Sequence, residues 1–424
     1  MAYALLYMLT AFAVGRIQEL FEFLAPLRIV FLMGVACVIL ALLTPRGKRQ
    51  PVLAQREVRI VLGLGGLALL LVPFSVWPGG SLGFLLDSYS KVIVLFLLVV
   101  ALAADPAVAR KLVWAVLVGV GVLGIFTLGG ASVKTSLEYT VARAYASSTY
   151  DPNDVAMIMV VTLPLAALGA ASLKGGGRLG AAGVAVICVL TVIKTVSRGG
   201  FIGLACVSLL LIRRLRSAGA RLLVSTTIVA ALTVVAPAAY WDIMDSIWNP
   251  TGVGYVERGI GPRLEIWSRG LGLLSKHPLT GVGIGMYETA AGFRYGRNGG
   301  WVTAHNSFLQ LAGELGLTGF VLFVMLLMFS IGNVRQTLRA AQADPGLREL
   351  EWIAAAVEIS LYAYLVVGFT LSQAYAAILY FLVGVATALR VQVERRHPSA
   401  VPVEEAAGGQ AQWVGPTAQV ARHA

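Results

Sequence analysis

The stretch HNSFLQLAGELGLTGFVLFVMLLMF (His305–Phe329) opens with three polar residues and continues as an apolar run that carries one acid, Glu314. A run of roughly 20 apolar residues is long enough for a helix to cross a bilayer. Similar runs recur along the chain, and strand-like alternation is absent. Because a spanning segment must satisfy its own backbone hydrogen bonds, the pattern predicts membrane helices rather than a barrel.

The composition supports the same class. Apolar residues make up 58% of the 424, charged residues 13%, and the mean hydropathy is +0.81. These values lie far outside those of a soluble domain. The net charge of +12 does not indicate nucleic acid, because the basic residues are distributed as in membrane topology. We therefore predict an all-α polytopic membrane protein surrounded by membrane lipids, with no nucleic-acid partner.

Hydropathy predicts about twelve membrane spans with both termini on one side. Residues 1–240 hold helices 1–9, residues 241–305 form one long polar loop, and residues 306–389 hold helices 10–12. The predicted spans are residues 2–15, 25–43, 58–76, 84–103, 112–131, 152–173, 180–196, 200–212, 221–240, 306–330, 351–369 and 373–389. The first is shorter than usual, and whether it fully crosses stays open.

The basic residues indicate which loops face the cytoplasm. The loops 44–59, 104–111, 174–179, 213–221 and 331–350, with the tail 390–424, hold 20 of the 33 Lys and Arg residues. The positive-inside rule places these segments in the cytoplasm and the 241–305 loop outside. The tail is charged and then rich in Ala, Gly, Pro and Gln, so we expect it to be disordered.

Arg198 is a candidate site residue. It lies in TVSRGGFIGL (Thr195–Leu204), between two predicted short helices at the outer membrane boundary. An arginine there is unfavourable unless it is paired or faces a wet cavity, which favours a functional role. A snorkelling or ion-paired helix end is the alternative. Lys194, one helical turn earlier, either points into the same cavity or snorkels.

Arg263 begins a predicted amphipathic helix within the long loop. Leu264, Trp267, Leu271 and Leu274 follow the spacing of one helical face, so we expect the helix to lie along the membrane surface. Trp267 fits an interfacial anchor. Arg263 stands at the N-terminus, where backbone N–H groups favour an anion, and its planar fork of donors suits phosphate.

His305 lies where the long loop re-enters the membrane, followed by Asn306 and Ser307, either of which is suited to cap the next helix. The arginine charges around it should lower its pKa and keep it neutral, as a general base requires. A polar surface or capping histidine is the alternative. Glu314 falls on the opposite helix face, so we expect it to pair with a basic residue of another helix.

The motif YDPND (Tyr150–Asp154) opens the sixth span. Asp151 at the N-cap and Pro152 at the first helical position describe an ordinary helix start. Capping needs only one polar residue, however, and three (Asp151, Asn153 and Asp154) lie at the membrane boundary here. Asp151 and Asn153 are therefore candidate contacts for sugar hydroxyls.

The glycine-rich stretch GVGIG (Gly281–Gly285) neither follows a strand nor opens a βαβ unit. It therefore predicts a tightly turned or flexible loop rather than a dinucleotide site. His277, His397 and His423 have no companions at metal-ligand spacing. We expect no metal and no cofactor, with arginine neutralising any bound pyrophosphate.

In order and placement, YDPNDVA (150–156), SRGG (197–200), GPRLEIW (261–267), HPLTGVGIGMY (277–287) and HNSFLQLAGELGL (305–317) resemble the O-antigen ligase and polymerase superfamily. The resemblance covers most of the chain. It implies a GT-C-like, metal-independent glycosyltransferase of the bacterial inner membrane whose active site faces the periplasm.

The resemblance also implies residue roles. Arg263 and Arg198 would hold the diphosphate of an undecaprenyl-diphosphate-linked glycan, and His305 would orient or deprotonate the acceptor hydroxyl, with inversion at the anomeric carbon. Arg143, Arg294 and Arg297 are secondary candidates for contacts to the donor or to the lipid or glycan acceptor.

Several alternatives stay open. A ligase would transfer the glycan en bloc to lipid A core, and a polymerase would join lipid-linked repeat units. The single long loop before the histidine favours the ligase. A protein-modifying variant is less favoured, because no large soluble domain follows the last span. A secondary transporter or a noncatalytic scaffold would also fit twelve spans, but no repeated halves are visible and the polar residues concentrate at one face.

Overall fold

A computed structural model of the chain describes residues 1–45, 51–130, 132–134, 143–145, 151–214, 238–245, 260–296 and 301–396, with scattered positions between 218 and 236. Most of the predicted span 221–240 lies outside the described residues. So do Arg297, part of the long loop and the tail beyond Arg396.

The described residues form helices and one short pair of strands. The helices are α1 (Ala2–Gly15), α2 (Ile29–Leu43), α3 (Arg56–Leu71), α4 (Pro78–Leu102), α5 (Pro106–Leu128), α6 (Pro152–Ser172), α7 (Gly175–Thr195), α8 (Arg198–Arg213), α9 (Ala238–Asp245), α10 (Ile260–Lys276), α11 (Tyr287–Tyr295), α12 (Ser307–Ala343), α13 (Arg348–Gly368) and α14 (Ala377–Arg396). Short helical turns occupy Ile17–Leu20, Glu22–Leu27, Val52–Ala54, Val72–Phe74 and Pro345–Leu347. Strands β1 (Ser132–Lys134) and β2 (Arg143–Tyr145) pair antiparallel, with Ser132 opposite Tyr145.

Eight of the described helical segments are long and apolar enough to cross a membrane, namely α3 with the turn after it (Arg56–Phe74), α4 to α7, α12, α13 with the turn before it (Pro345–Gly368) and α14. Helices α1 and α2 are apolar but have only 14 and 15 residues, and α8 has 16. The prediction of a helical membrane protein is therefore confirmed, whereas the count of twelve spans is not.

The core of the bundle is α14. Of the candidate spans it is the most enclosed, with 83% of its most apolar window buried, against 28% for α7. It packs against α4 and α12, while α13 packs against α6 and α12. Small residues allow the closest crossing, between α1 and α5, where a side chain on Gly15 or Gly119 would collide with the opposite backbone.

A buried polar network joins α3, α12 and α14 at one end of the bundle. The carboxylate of Glu57 accepts hydrogen bonds from Arg56 at 2.8 Å and from the Asn333 amide at 3.0 Å, and it pairs with Arg390 at 3.4 Å. Arg390 also donates to the side-chain oxygen of Gln55 at 2.6 Å. The prediction that the disordered tail begins at Arg390 is wrong, since α14 continues to Arg396 and Arg390 is needed inside the bundle.

Removing one partner of this network should destabilise the fold. We expect Arg390→Met to lower the free energy of unfolding by about 3 kcal/mol. The fully buried Glu57 carboxylate would lose one of its two charged partners and keep only Arg56 as an ion-pair partner. The matched control is Arg335→Met, which removes an exposed ion pair with Glu358 and should cost about 1 kcal/mol or less. Thermal or denaturant unfolding of the purified variants measures both, and equal shifts would contradict a structural role for Arg390.

Candidate active site

We call the end of the bundle where α6, α8 and α12 begin the site end. Here Asp151 caps α6, and its Oδ1 accepts hydrogen bonds from the backbone N–H of Asn153 at 2.7 Å and from the Asn153 amide at 2.6 Å. The hydroxyl of Ser197 donates to Oδ1 of Asn153 at 2.8 Å. Ser197 Oγ also accepts from the backbone N–H of Gly200 at 3.1 Å and so caps α8. This chain of bonds fixes the first turn of α6 beside the first turn of α8.

Arg198 is the first residue of α8 and is partly buried. The glycines that follow it let α8 approach its neighbours. A side chain on Gly199 would collide with Thr370, and one on Gly200 would meet the Ala156 methyl at 2.8 Å. The SRGG motif thus combines a cap, a cation and two close-packing positions in four residues.

Lys194 lies on the last turn of α7 and is exposed. Val196, with a left-handed φ of 51°, separates α7 from α8. Lys194 and Arg198 therefore belong to different helices, and one continuous helical face does not carry both.

His305 directly precedes α12 and has a left-handed backbone φ of 45°. A residue with a Cβ rarely adopts this conformation, because it is sterically unfavourable. Asn306 is the helix cap, and its Oδ1 accepts from the backbone N–H groups of Phe308 at 2.9 Å and Leu309 at 3.0 Å. The surrounding packing, rather than the preference of histidine, must hold the imidazole in place.

Ser307 connects His305 to the segment between α13 and α14. Its hydroxyl donates to the carbonyl of Leu371 at 2.6 Å and accepts from the backbone N–H of Gln373 at 3.0 Å. Gln310 Oε1 accepts from the backbone N–H of Ala374 at 3.2 Å. Because Thr370 packs against Gly199, this one segment touches both the start of α8 and the start of α12.

Two charged side chains, Arg263 and Asp151, act on the imidazole of His305. Burial lowers the pKa of His305 below its ordinary value, the positive charge of Arg263 lowers it further, and the negative charge of Asp151 opposes both. The sequence predicted a lowered pKa for His305, and the structure agrees in direction. Burial, however, contributes more to the lowering than the charge of the neighbouring arginine does. The imidazole is consequently neutral near pH 7 and able to accept a proton. Because the charges of Arg263 and Asp151 both act on the imidazole, the three side chains lie in the same region of the site end.

Helix α10 carries Arg263, and its presence confirms the helix predicted from the leucine spacing. It packs on α12 and α11 through Gly270, where an added Cβ would lie 2.6 Å from Leu309 and would collide with the Tyr287 hydroxyl. On the predicted apolar stripe, the side chains of Leu264 and Leu271 are 55% and 58% exposed. Exposed leucines at the site end suit contact with lipid, which stays a prediction.

An apolar groove of about 310 Å³ runs between α10 and α12. We call it the Trp267 groove. Its lining comprises Trp267, Leu271, Leu274, Asn306, Phe308, Leu309, Ala312, Leu317 and Phe320. The indole N–H of Trp267 is buried and has no hydrogen-bond partner among the described residues. The groove thus offers an apolar surface to a hydrocarbon chain and, at Asn306, ends one residue from His305.

The HPLTGVGIG loop is bonded to a break in α12. At Gly316 the backbone has φ 68° and ψ −171°, which interrupts the helix. The carbonyls of Gly313 and Glu314 accept from the N–H groups of Val282 and Gly283, each at 2.9 Å. Three glycines of the loop have positive φ, which residues with a side chain adopt only at a cost. The loop is therefore tightly turned, one of the two forms the sequence allowed.

Glu314 binds the same loop with its side chain. The buried carboxylate accepts from the backbone N–H groups of Gly285 at 2.8 Å and Tyr287 at 3.4 Å, and from the Tyr375 hydroxyl at 2.9 Å. The prediction that it pairs with a basic residue is wrong. Backbone N–H donors and a tyrosine form hydrogen bonds to its oxygens instead, as buried polar groups require.

The remaining predicted residues show no hydrogen bond to this cluster in the described part of the chain, or lie outside that part. Arg294 is exposed on α11 and donates to the Tyr295 hydroxyl at 2.8 Å. The backbone of Arg143 lies on β2, close to α6 and α7. In the part of the chain that the structure describes, no group of three or more His, Cys, Asp or Glu side chains is arranged to hold a metal ion. Metal independence stays a prediction.

Comparison with known families agrees with this geometry. Residues 183–324 match the family model Wzy_C, described as O-antigen ligase. The match covers about a third of the chain, includes Arg198, Arg263 and His305, and supports the resemblance to the O-antigen ligase and polymerase superfamily. No curated protein matches the chain.

Sequence reasoning missed four residues that organise the site: Ser307 as a link, Gln310, Gln373 and Tyr375. Their partners are backbone groups or carboxylates far away in the sequence. For Gln373 and Tyr375 a signal was available, namely the polar interruption TLSQAY (Thr370–Tyr375) between two apolar runs.

The Glu314 contacts predict a specific effect on the loop. Glu314→Ala should increase backbone hydrogen exchange at Gly285 and Tyr287 at least tenfold, because their N–H groups lose the acceptor. Glu265→Ala, which removes an exposed carboxylate of α10, should leave exchange at both positions unchanged. Unaltered protection in Glu314→Ala would contradict the role assigned to this carboxylate.

Proposed function

We propose that the chain is a membrane glycosyltransferase that moves a glycan en bloc from undecaprenyl diphosphate to an acceptor hydroxyl. The observation that supports this best is that the charges of Arg263 and Asp151 both act on a neutral His305, while hydrogen bonds hold the start of α8, with Arg198, beside the start of α6. The family match is consistent with it. The chemistry would occur on the periplasmic face of a bacterial inner membrane.

The proposed donor matches the shape of the site. A polyprenyl chain would lie in the Trp267 groove, and its diphosphate would meet Arg263 and Arg198 at the polar end. Arginine holds phosphate oxygens through two parallel hydrogen bonds. Trp267, with its buried and unpartnered N–H, is a further donor to the same head group.

The proposed step breaks one bond and forms another. The acceptor oxygen attacks the anomeric carbon from the side opposite the diphosphate, and the carbon–oxygen bond to the diphosphate breaks with inversion. The electron pair stays on the leaving diphosphate, where the two guanidinium groups stabilise the developing charge. The acceptor proton goes to the neutral imidazole of His305. No metal is required, because arginine supplies the positive charge.

We favour a ligase that uses lipid A core as acceptor, on the basis of the single long segment that precedes His305. The alternative is a polymerase that joins lipid-linked repeats. One observation favours that alternative, namely that a cavity between α1, α4 and α12 adjoins an apolar groove beside α2, separate from the Trp267 groove. The products distinguish the two, since a ligase adds one block and a polymerase gives a ladder.

The first test of the proposal is substitution of the three central residues. Arg263→Ala and Arg198→Ala should each reduce transfer about 10²- to 10³-fold, and His305→Ala about 10²- to 10⁴-fold. Transfer is measured on purified protein with an undecaprenyl-diphosphate glycan and either acceptor. Lys276→Ala on the same helix as Arg263, and His277→Ala as an exposed histidine, are matched controls that should retain activity. Full activity of Arg263→Ala or His305→Ala in a folded protein would remove this mechanism.

The pH dependence supplies a second test. Transfer should fall as the pH drops through the lowered pKa of His305, since only the neutral imidazole accepts a proton. Asp151→Asn keeps the α6 cap and removes the negative charge that raises this pKa, so the acid limb should move to lower pH. The rate profile between about pH 4 and 8 measures it. A limb that moves to higher pH, or does not move, would contradict the proximity of Asp151 and His305.

A further inference from the structure

Trp301 packs on α11 and stands four residues before His305. A Cβ added at Gly292 would collide with three atoms of its indole ring, and the indole nitrogen lies 3.9 Å from a Cβ added at Gly296. These two glycines are four residues apart on α11, so they give the ring a flat seat that no side chain interrupts. The indole therefore rests on the helix through one of its two faces.

The other face of the indole is open. Trp301 is 57% exposed although one face packs on α11. The ring of Phe293 meets it edge-on, with centroids 5.8 Å apart and an interplanar angle of 75°. The face of an aromatic ring is electronegative, and the C–H groups on one side of a sugar ring are weakly positive, so the two surfaces attract each other. The indole thus offers a rigid platform on which a sugar ring can stack.

A carboxylate lies one helical turn from this platform. Glu288, Gly292 and Gly296 follow the four-residue spacing of one face of α11, so Glu288 and the indole lie on the same side of the helix. Glu288 is exposed and forms no ion pair in the described part of the chain. An ionised carboxylate only accepts hydrogen bonds, and neighbouring hydroxyls of one sugar can donate to both of its oxygens.

The other surface that suits an exposed Trp and Phe pair is the membrane interface. The carboxylate of Glu288 disfavours lipid here, because hydrocarbon does not solvate a charge and anionic head groups repel a negative one. A saccharide has an apolar face for the ring and hydroxyl donors for the carboxylate. Of the two occupants, it is the one that satisfies both groups.

The chain limits how far this platform lies from the proposed chemistry. Four peptide units separate Trp301 from His305, so their Cα atoms are at most about 14 Å apart. Helix α11 also packs against α10, and the guanidinium of Arg269 on α10 lies 5.2 Å from the centre of the Tyr295 ring on α11. The α10–α11 pair therefore carries both Arg263 and the seat of the indole.

We propose that Trp301 and Glu288 form a saccharide subsite that holds the donor glycan beyond the sugar attached to the diphosphate. This inference rests on the proposed function and adds to it the residues that recognise the glycan. A donor whose diphosphate meets Arg263 would extend its saccharide chain along the α10–α11 pair. The reacting sugar would lie at His305, and a later sugar would stack on the indole. Trp301 thus selects for the length of the glycan and takes no part in breaking the bond.

Donors of different glycan length test the subsite on the purified full-length chain. The probes are undecaprenyl diphosphate that carries one sugar and undecaprenyl diphosphate that carries a linear chain of several, with the same acceptor in each assay. Trp301→Leu should raise KM for the long donor about tenfold, because leucine is apolar but has no flat ring on which a sugar stacks. It should leave kcat, and KM for the one-sugar donor, unchanged. Trp301→Phe should keep KM for the long donor near the wild-type value, and Glu288→Gln should raise it severalfold.

The matched controls are a second exposed tryptophan and a second exposed acid. Trp77 is 58% exposed and also rests on a glycine, Gly80, so Trp77→Leu should change KM for neither donor. Glu265→Gln removes a carboxylate of α10 that pairs with Arg269, and it should have no effect either. An equal effect of Trp301→Leu on both donors would indicate membrane anchoring and overturn the subsite. So would a Trp301→Phe variant as impaired as Trp301→Leu, or an effect that follows the length of the acceptor glycan instead of the donor glycan.

Binding of the saccharide chain released from its lipid separates this proposal from the proposed function. Saturation-transfer NMR should show contact at the C–H protons of the saccharide in the wild type, and the signal should fall at least about fivefold in Trp301→Leu. If the saccharide binds in this way but no glycan is transferred, the saccharide subsite stands and the glycosyltransferase proposal fails. If transfer depends on Arg263 and His305 but Trp301→Leu changes neither KM nor the NMR signal, the glycosyltransferase proposal stands and the subsite fails.

Discussion

The contact on which the site depends most is between the buried carboxylate of Glu314 and the backbone of the GVGIG loop. The break at Gly316 frees carbonyls of α12, and the loop supplies the N–H groups that satisfy them. An unsatisfied group at either position would be costly in an apolar setting. Because the loop joins α10 to α11, this contact also limits where α10 can lie. The position of Arg263 relative to His305 therefore follows from a carboxylate that touches neither.

The backbone of His305 shows a second constraint. A left-handed φ at a residue with a Cβ is unfavourable, and the bonds of Asn306 and Ser307 directly after it hold the turn. Ser307 is anchored to the segment 370–373, which also packs on the start of α8. The histidine and Arg198 are thus positioned by one shared segment. The strained backbone of His305 occurs at a polar residue with charged neighbours. Such strain is consistent with a role in chemistry rather than in capping.

The sequence predicted the membrane class, the amphipathic helix of Arg263, the cap at Asp151, Asn306 as one of two candidate caps, and the family resemblance. Each of these depends on local spacing or on residues adjacent in the chain. Prediction from sequence failed where a residue's hydrogen-bond or ion-pair partner is distant in the chain. Glu314 was expected to meet a cation because an acid in an apolar helix needs a partner, yet backbone N–H groups 29 and 27 residues earlier supply it. Arg390 read as the start of a polar tail, because its partners Gln55 and Glu57 lie more than 300 residues away.

The charge distribution at the site end gives the proposed reaction a direction. In the proposed complex the hydrocarbon chain of the donor lies in the Trp267 groove, and its diphosphate meets Arg263 and Arg198. Two guanidinium groups would stabilise the charge that develops as the diphosphate leaves. The neutral imidazole of His305 would accept the proton that the acceptor hydroxyl loses. The bond would therefore break in the molecule that the arginines hold, and the hydroxyl would come from the molecule that meets the histidine.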